Sequence, residues 1–308
     1  MLAPILVSVY DRKESLIECI TKLKKNELAK NSLLYIVSDQ AANETKKKTI
    51  ESIRDYIKGI EGFKKVILIS REENLGSYNS IKFAITKILD KHKKIIFLED
   101  DIRVSKYFLQ YMNEGLKKYE MDERIFSISS YFFPNLNLNH ILKEDVFIWS
   151  RYCPWGMATW KNRWDKIDWE VSKYKTFIKD KQQVKKFNQI EKTWFFILQN
   201  DIEKQEIAMD ARINFHLFLN DLFTVYPKKN ISVNRGHQEG GEHCGFDKKY
   251  FFQNLDENFL PVLQKCLTKN KKIYNKLYWN HYSVKSHFIK PILIKLKLFN
   301  FINRLRGR

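Results

Sequence analysis

Lys93-Lys94-Ile95-Ile96-Phe97-Leu98-Glu99-Asp100-Asp101 is an apolar run of strand length that stops on three consecutive carboxylates. Three adjacent acids repel one another, so a fold keeps them chiefly where a cation neutralises them. In open α/β sheets the ligand sits beyond the carboxyl ends of the strands. The stretch therefore predicts a buried strand whose end holds a divalent metal and a phosphorylated ligand. The plainer alternative is a helix N-cap, since aspartate favours the start of a helix. One aspartate would satisfy a cap; three behind a strand point to a metal.

Around this stretch, strand and helix alternate. Apolar runs at 5–9, 33–37, 66–69, 95–98 and 125–129 read as strands. Helical patterns follow at about 14–25, at 44–58, after Gly76 with Ile81, Ala84, Ile85 and Ile88 inward, and around Phe108, Met112 and Leu116. Such alternation predicts a mostly parallel sheet with helices on both faces. Parallel strands bring Asp11-Arg12, Ser38-Asp39, Arg71 to Gly76, and Glu99-Asp100-Asp101 to one edge. The second half is rich in Trp and Tyr and loses the alternation. It reads as a long polar helical stretch over 171–199 and further helices beyond. No GxGxxG or GxxxxGK[ST] is present, which argues against a dinucleotide site or a P-loop.

With 308 residues and 44% hydrophobic content, the chain can bury a large core. Its four cysteines, Cys19, Cys153, Cys244 and Cys266, form no CxxC pair, which fits a reducing compartment. Residues 1–10 carry no basic leader and read as the first buried strand, so the expected location is cytoplasmic. The net charge of +19 calls for an anionic partner. From Lys285 to Arg308 there are seven Lys or Arg and no acid. Ile289, Ile292, Leu293, Leu296, Phe299, Ile302 and Leu305 recur there at helical spacing. That pattern suits a helix lying on the anionic inner face of a membrane, and also a docked helix with a solvated basic side.

Several ordered pieces resemble the inverting glycosyltransferases of the GT-A fold, specifically the N-acetylglucosaminyltransferase I type. Pro4-Ile5-Leu6-Val7 running into Asp11-Arg12 is similar to that family's first strand and nucleotide-binding arginine. Ile36-Val37-Ser38-Asp39-Gln40 is similar to its second strand, and Phe97-Leu98-Glu99-Asp100-Asp101-Ile102 to its metal motif. The likeness continues through Phe108 and Tyr111, Cys153-Pro154-Trp155-Gly156-Met157, Met209-Asp210-Ala211-Arg212 and Gly240-Gly241-Glu242-His243-Cys244, covering roughly residues 3–246.

The resemblance implies a Rossmann-like GT-A domain over 1–250, a mostly parallel mixed sheet flanked by helices, with a helical extension over 251–308. It implies a UDP-sugar donor and a glycan or lipid-linked acceptor. Asp101 would bind Mn²⁺ or Mg²⁺, with Asp100 on ribose or sugar hydroxyls and Glu99 orienting the cluster. Asp39 would read the uracil, Arg12 would lie near the uracil or phosphates, and Arg71 and Asn74 would pack against the nucleotide. Trp155 and Gly156 would wall the sugar site, and His243 would touch phosphate or metal. Asp210 is the candidate base, with Asp201, Glu206 and Asp221 as alternatives. For Arg12, Asp39, Arg71 and Asn74 a turn or capping role is the plainer reading. Two other functions fit parts of the sequence. A nucleotidyltransferase should carry a Gly-rich loop after the first strand, and Tyr10-Asp11-Arg12-Lys13 is not Gly-rich. A basic nucleic-acid binder should carry a recognisable module, and none is present.

Overall fold

The computed structural model describes all residues except 134–135, 192, 206, 237–252, 282–289, 297 and 299–308. Four apolar runs form its parallel core: β1 (Ile5–Val9), β2 (Leu33–Ser38), β3 (Lys65–Ser70) and β4 (Lys94–Glu99). β1 is central, with Val7 opposite Ile36 on one side and Leu98 on the other. The connections are helices: α1 (Lys13–Lys24), α2 (Glu44–Lys58) and α3 (Gly76–His92), with α4 (Phe108–Lys118) after the acids.

Alternation along the strands decides which face each helix covers. Ile5 and Val7 meet Leu16, Ile20, Ile53, Ile57, Phe108 and Met112 from α1, α2 and α4. Leu6 points the other way, where Ile81, Ala84, Ile85 and Ile88 of α3 lie. Strands buried on both faces read as unbroken apolar runs, which is why these were visible in the sequence.

β6 (Ile125–Ser129) stands where a strand was expected, while three further strands were not expected: β7 (Val146–Trp149), β8 (Met157–Trp160) and β9 (Phe223–Pro227). Together they extend the sheet to eight in the order β3-β2-β1-β4-β8-β6-β9-β7. β8 runs antiparallel between β4 and β6, making the sheet mixed. A short ribbon, β5 (Ile102–Val104) with β10 (Ser232–Asn234), lies directly after the acids. Most of the added strands are short and buried throughout, so they show no period-two pattern.

The expected helix over 171–199 is broken. After a short α5 (Lys161–Trp164) come α6 (Tyr174–Phe177), α7 (Lys181–Ile190), α8 (Trp194–Lys204) and α9 (Met209–Leu219). The Asp180 carboxylate accepts from the Gln182 and Gln183 amides at 2.9 and 3.0 Å, starting α7 afresh. Glu191, with φ −152°, is extended and ends that helix.

The expected helical extension from 251 also differs. Residues 253–270 form neither helix nor strand. Pro261 interrupts that segment, and its apolar residues follow no helical period. Phe259, Leu260, Leu263 and the buried Leu267 instead pack on the core beneath α1 and α4. Helix resumes at α10 (Lys271–His281), where Ile273 and Leu277 are buried, and at α11 (Lys290–Lys295). Among the described residues no helix is long and apolar enough to cross a membrane.

Candidate active site at the carboxyl ends of the parallel strands

The parallel strands put the exits of β1 to β4 at one edge. From the β1 exit Arg12 reaches across to β4, donating to the Asp100 carboxylate and, at 3.1 Å, to Asp101 Oδ2. Asp100 and Asp101 are buried. Burial pushes Asp100 up to about 7, opposed by Arg12 and reinforced by Asp101. Glu99 rises to about 8, from burial first and then repulsion by Asp101 and Asp100. Burial disfavours the Arg12 cation, yet the charges of Asp100 and Asp101 outweigh it and its pKa is raised. The cluster is thus an acidic site with the Arg12 guanidinium set among its carboxylates.

The supports of this cluster were missed by sequence reasoning. Buried Arg103 donates to the Asp100 carbonyl at 3.0 Å and to Glu18 at 2.8 Å, fixing the turn against α1. The Arg235 amide donates to the Asp101 carbonyl at 2.9 Å. Gly236 lies so close that a Cβ there would stand 2.3 Å from Asp101 Oδ2. Any larger residue at 236 would crowd that carboxylate. The only available signal was a basic residue inside an otherwise apolar Ile102-Arg103-Val104.

A hard divalent cation fits this donor set: a buried aspartate, oxygen donors, and backbone kept clear of it by glycine. Among the described residues there is no group of three or more metal-ligating side chains. The protein's share would be small and a bound diphosphate would complete the shell, which suits Mg²⁺ or Mn²⁺.

Asp39 is buried at the end of β2, and its Oδ1 accepts the Gln40 and Leu75 amides at 2.9 and 3.1 Å. It thereby ties β2 to the 72–76 loop, where Asn74 donates to the Gln40 carbonyl. A carboxylate has about four acceptor positions, so two such bonds leave capacity for a ligand. Arg71 is turned to α3, donating to the Ser80 carbonyl at 2.8 Å. Gly156 is buried with φ +84°, and a Cβ there would come within 2.2 Å of Ser130 Oγ. Its place is in the turn that carries Trp155 rather than in a wall. Trp155 is half-buried, edge-on to Tyr131 at 4.8 Å between ring centres. His243 and the 240–244 loop lie outside the described residues.

Asp210 stands in the first turn of α9, its Oδ1 accepting the Ala211 amide at 3.1 Å. The residue preceding the helix is Ala208, so Asp210 is not its N-cap. Burial raises the Asp210 carboxyl; Arg151 lowers it and Glu191 raises it. Its charge also acts on Glu99, so the two ends of the site are within electrostatic reach. Of the alternatives, Asp201 is fully buried in a two-pronged pair with Arg212, both contacts at 2.7 Å. Asp221 is exposed and pairs with Lys269, and Glu206 lies outside the described residues. Asp201 therefore has a structural partner already. Asp201→Ala is expected to cost about 3 kcal/mol in urea unfolding, because it leaves a largely buried guanidinium uncompensated.

The model of the GNT-I family matches residues 1–193, well over half of the chain. The chain belongs to the GNT-I family. The matched region includes the mixed sheet's β1 to β4 and the acids at the end of β4. No curated protein matches the chain. Among solved structures it is similar to the mannosyltransferase PcManGT from Pyrobaculum calidifontis, in complex with GDP-Man and Mn²⁺. That likeness has 11% identity and a TM-score of 0.37, over 52% of this chain and 44% of the other. The 1–349 portion of S. aureus TarS gives 10% identity and a TM-score of 0.40, over 78% and 62%. A second S. aureus TarS structure gives 15% and 0.30, over 42% and 21%. The chain thus spans less than two thirds of the length of each. This GNT-I family member carries its acidic motif and first four strands inside the matched region, and Asp210 just beyond it.

Proposed function

We propose that this GNT-I family member transfers a sugar from a UDP-sugar, UDP-GlcNAc or a UDP-hexose, to a glycan or lipid-linked acceptor with inversion. The observation that carries the reading is the convergence of Arg12, Glu99, Asp100 and Asp101 at the parallel-strand ends, with Asp210 in electrostatic reach. In this reading Asp101 holds a divalent cation, which supplies charge neutralisation as UDP departs. Asp39, fixed by two amides, accepts from the uracil N–H. Arg12 moves between the acids and the nucleotide phosphates, and Asp100 takes ribose or sugar hydroxyls. Trp155 offers an aromatic face to the sugar.

Asp210 takes the proton of the acceptor hydroxyl as its oxygen bonds to the anomeric carbon. The bond from that carbon to the UDP oxygen breaks on the opposite face, so the configuration inverts. A carboxyl raised by burial is the better base near neutral pH. Residues 1–250 would carry the donor site and the chemistry, and 251–308 would pack on them and place the tail.

Calorimetric titration of UDP, with and without Mn²⁺, tests the donor assignment. Binding that needs the metal is expected; no binding under either condition would remove the UDP-sugar reading. The tail would hold the enzyme at an anionic membrane. Exposed Ile292, Leu296 and Leu298, with Lys295 also exposed among them, support that. Deleting 285–308 should then abolish co-sedimentation with phosphatidylglycerol vesicles, and unchanged sedimentation would refute it.

A further inference from the structure

Behind the turn that carries Asp210 sits a cation to which the reaction above gives no role. Arg151 follows β7, and its guanidinium carbon is 4.6 Å from the ring centre of Phe133, 5.6 Å from Trp149 and 5.7 Å from Trp194. One guanidinium nitrogen donates to Glu191 at 3.1 Å. Aromatic faces suit a planar guanidinium, and with the carboxylate they leave it little freedom. The next residue is joined to the base. Asn214 of α9, fully buried, accepts the Tyr152 amide on Oδ1 at 2.8 Å and donates from Nδ2 to the Asp210 carbonyl at 2.7 Å. One side chain thus fastens the Arg151 segment to the first turn of α9.

We propose that Arg151 is a positioning residue for Asp210, the cation that compensates the base's carboxylate and is held in register with it by the aromatic box, Glu191 and the Asn214 bridge. The proposal rests on the reading of Asp210 as the base. A carboxylate buried without compensation keeps its proton and cannot take one from an acceptor hydroxyl. Among the charges acting on Asp210, Arg151 is the strongest, opposing burial, and Glu191 works the other way. Among the described residues, Asp210 in turn acts on Glu99, Tyr152 and Cys153. The Arg151–Glu191 pair therefore sets the field at the base. Removing either partner moves that field in opposite directions.

The test uses the full chain, and its first readout needs no substrate. Burial raises Asp210 above its unfolded value, so its ionised form destabilises the fold. That cost is absent below the unfolded pKa and complete above the folded one. The gain in melting temperature on Asp210→Asn should therefore grow with pH, and the midpoint of that growth reports the carboxyl itself. Arg151→Gln, measured with and without Asp210→Asn, is expected to move the midpoint to higher pH and enlarge the gain. Glu191→Gln should move it to lower pH, and Arg151→Lys should leave it near the wild-type position. The acid limb of UDP release from UDP-GlcNAc should move with the midpoint in each variant. A loss of packing alone would lower melting temperatures without moving the midpoint. Midpoints unmoved in both Arg151→Gln and Glu191→Gln overturn the proposal. If Arg151→Gln does not fold, Glu191→Gln decides alone. Should the midpoints move as expected while Asp210→Asn retains full transfer, the base assignment fails and the electrostatic pairing stands.

Discussion

Asp101→Ala is expected to lose metal-dependent UDP binding, with an affinity for UDP in Mn²⁺ at least about 100-fold weaker than wild type. A cation on a transferring phosphate contributes several kcal/mol, and about 1.4 kcal/mol corresponds to tenfold. Asp101 is the buried carboxylate against which Gly236 lies. Unfolding should not account for the loss. Removing one of three crowded acids relieves Glu99 and Asp100, both raised in part by its charge. Arg12 keeps Asp100 as a partner. The melting temperature at pH 8 is therefore expected not to fall. Wild-type UDP affinity in Asp101→Ala, by calorimetry in Mn²⁺, would exclude Asp101 as the metal residue.

The sequence was readable where one force acted alone. β1, β2, β4 and β6 are buried on both faces and mostly apolar, and α3 shows Ile81, Ala84, Ile85 and Ile88 at helical spacing, so burial wrote its pattern directly. The acids at the end of β4 were legible because a run of like charges after a buried strand has few structural uses. β8 was not legible: four residues buried throughout look like any apolar fragment, and their partners are some 60 and 30 positions away. The break at Asp180 was visible only as a cap, a local hydrogen bond competing with a longer helical pattern. At the site, the residues of the strand exits could be named, but not what each was already bonded to. Arg71 serves α3, Gly156 serves a turn, and Asp201 serves Arg212. Arg103, Arg151 and Asn214 act through tertiary contacts that no spacing encodes.

Asp210→Asn is expected to slow sugar transfer by about 10²–10⁴-fold, the usual contribution of a positioned proton acceptor, while UDP binding in Mn²⁺ stays at the wild-type level. The amide is nearly isosteric and keeps an oxygen for the Ala211 N–H, so the start of α9 should persist. It cannot accept the hydroxyl proton at neutral pH. The stability change has the opposite sign to the activity change: burial disfavours the ionised carboxylate, so the neutral variant should melt higher above the folded pKa and no differently in acid. An inactive, more stable protein that still binds UDP is a combination that a folding defect or a donor-site defect does not give. Labelled UDP-GlcNAc and UDP-hexoses, offered with a membrane extract of lipid-linked saccharides, provide the rate. Transfer within about tenfold of wild type would move the base elsewhere. Asp201 would then be the poorest replacement, since its carboxylate is fully buried and committed to Arg212 through both oxygens.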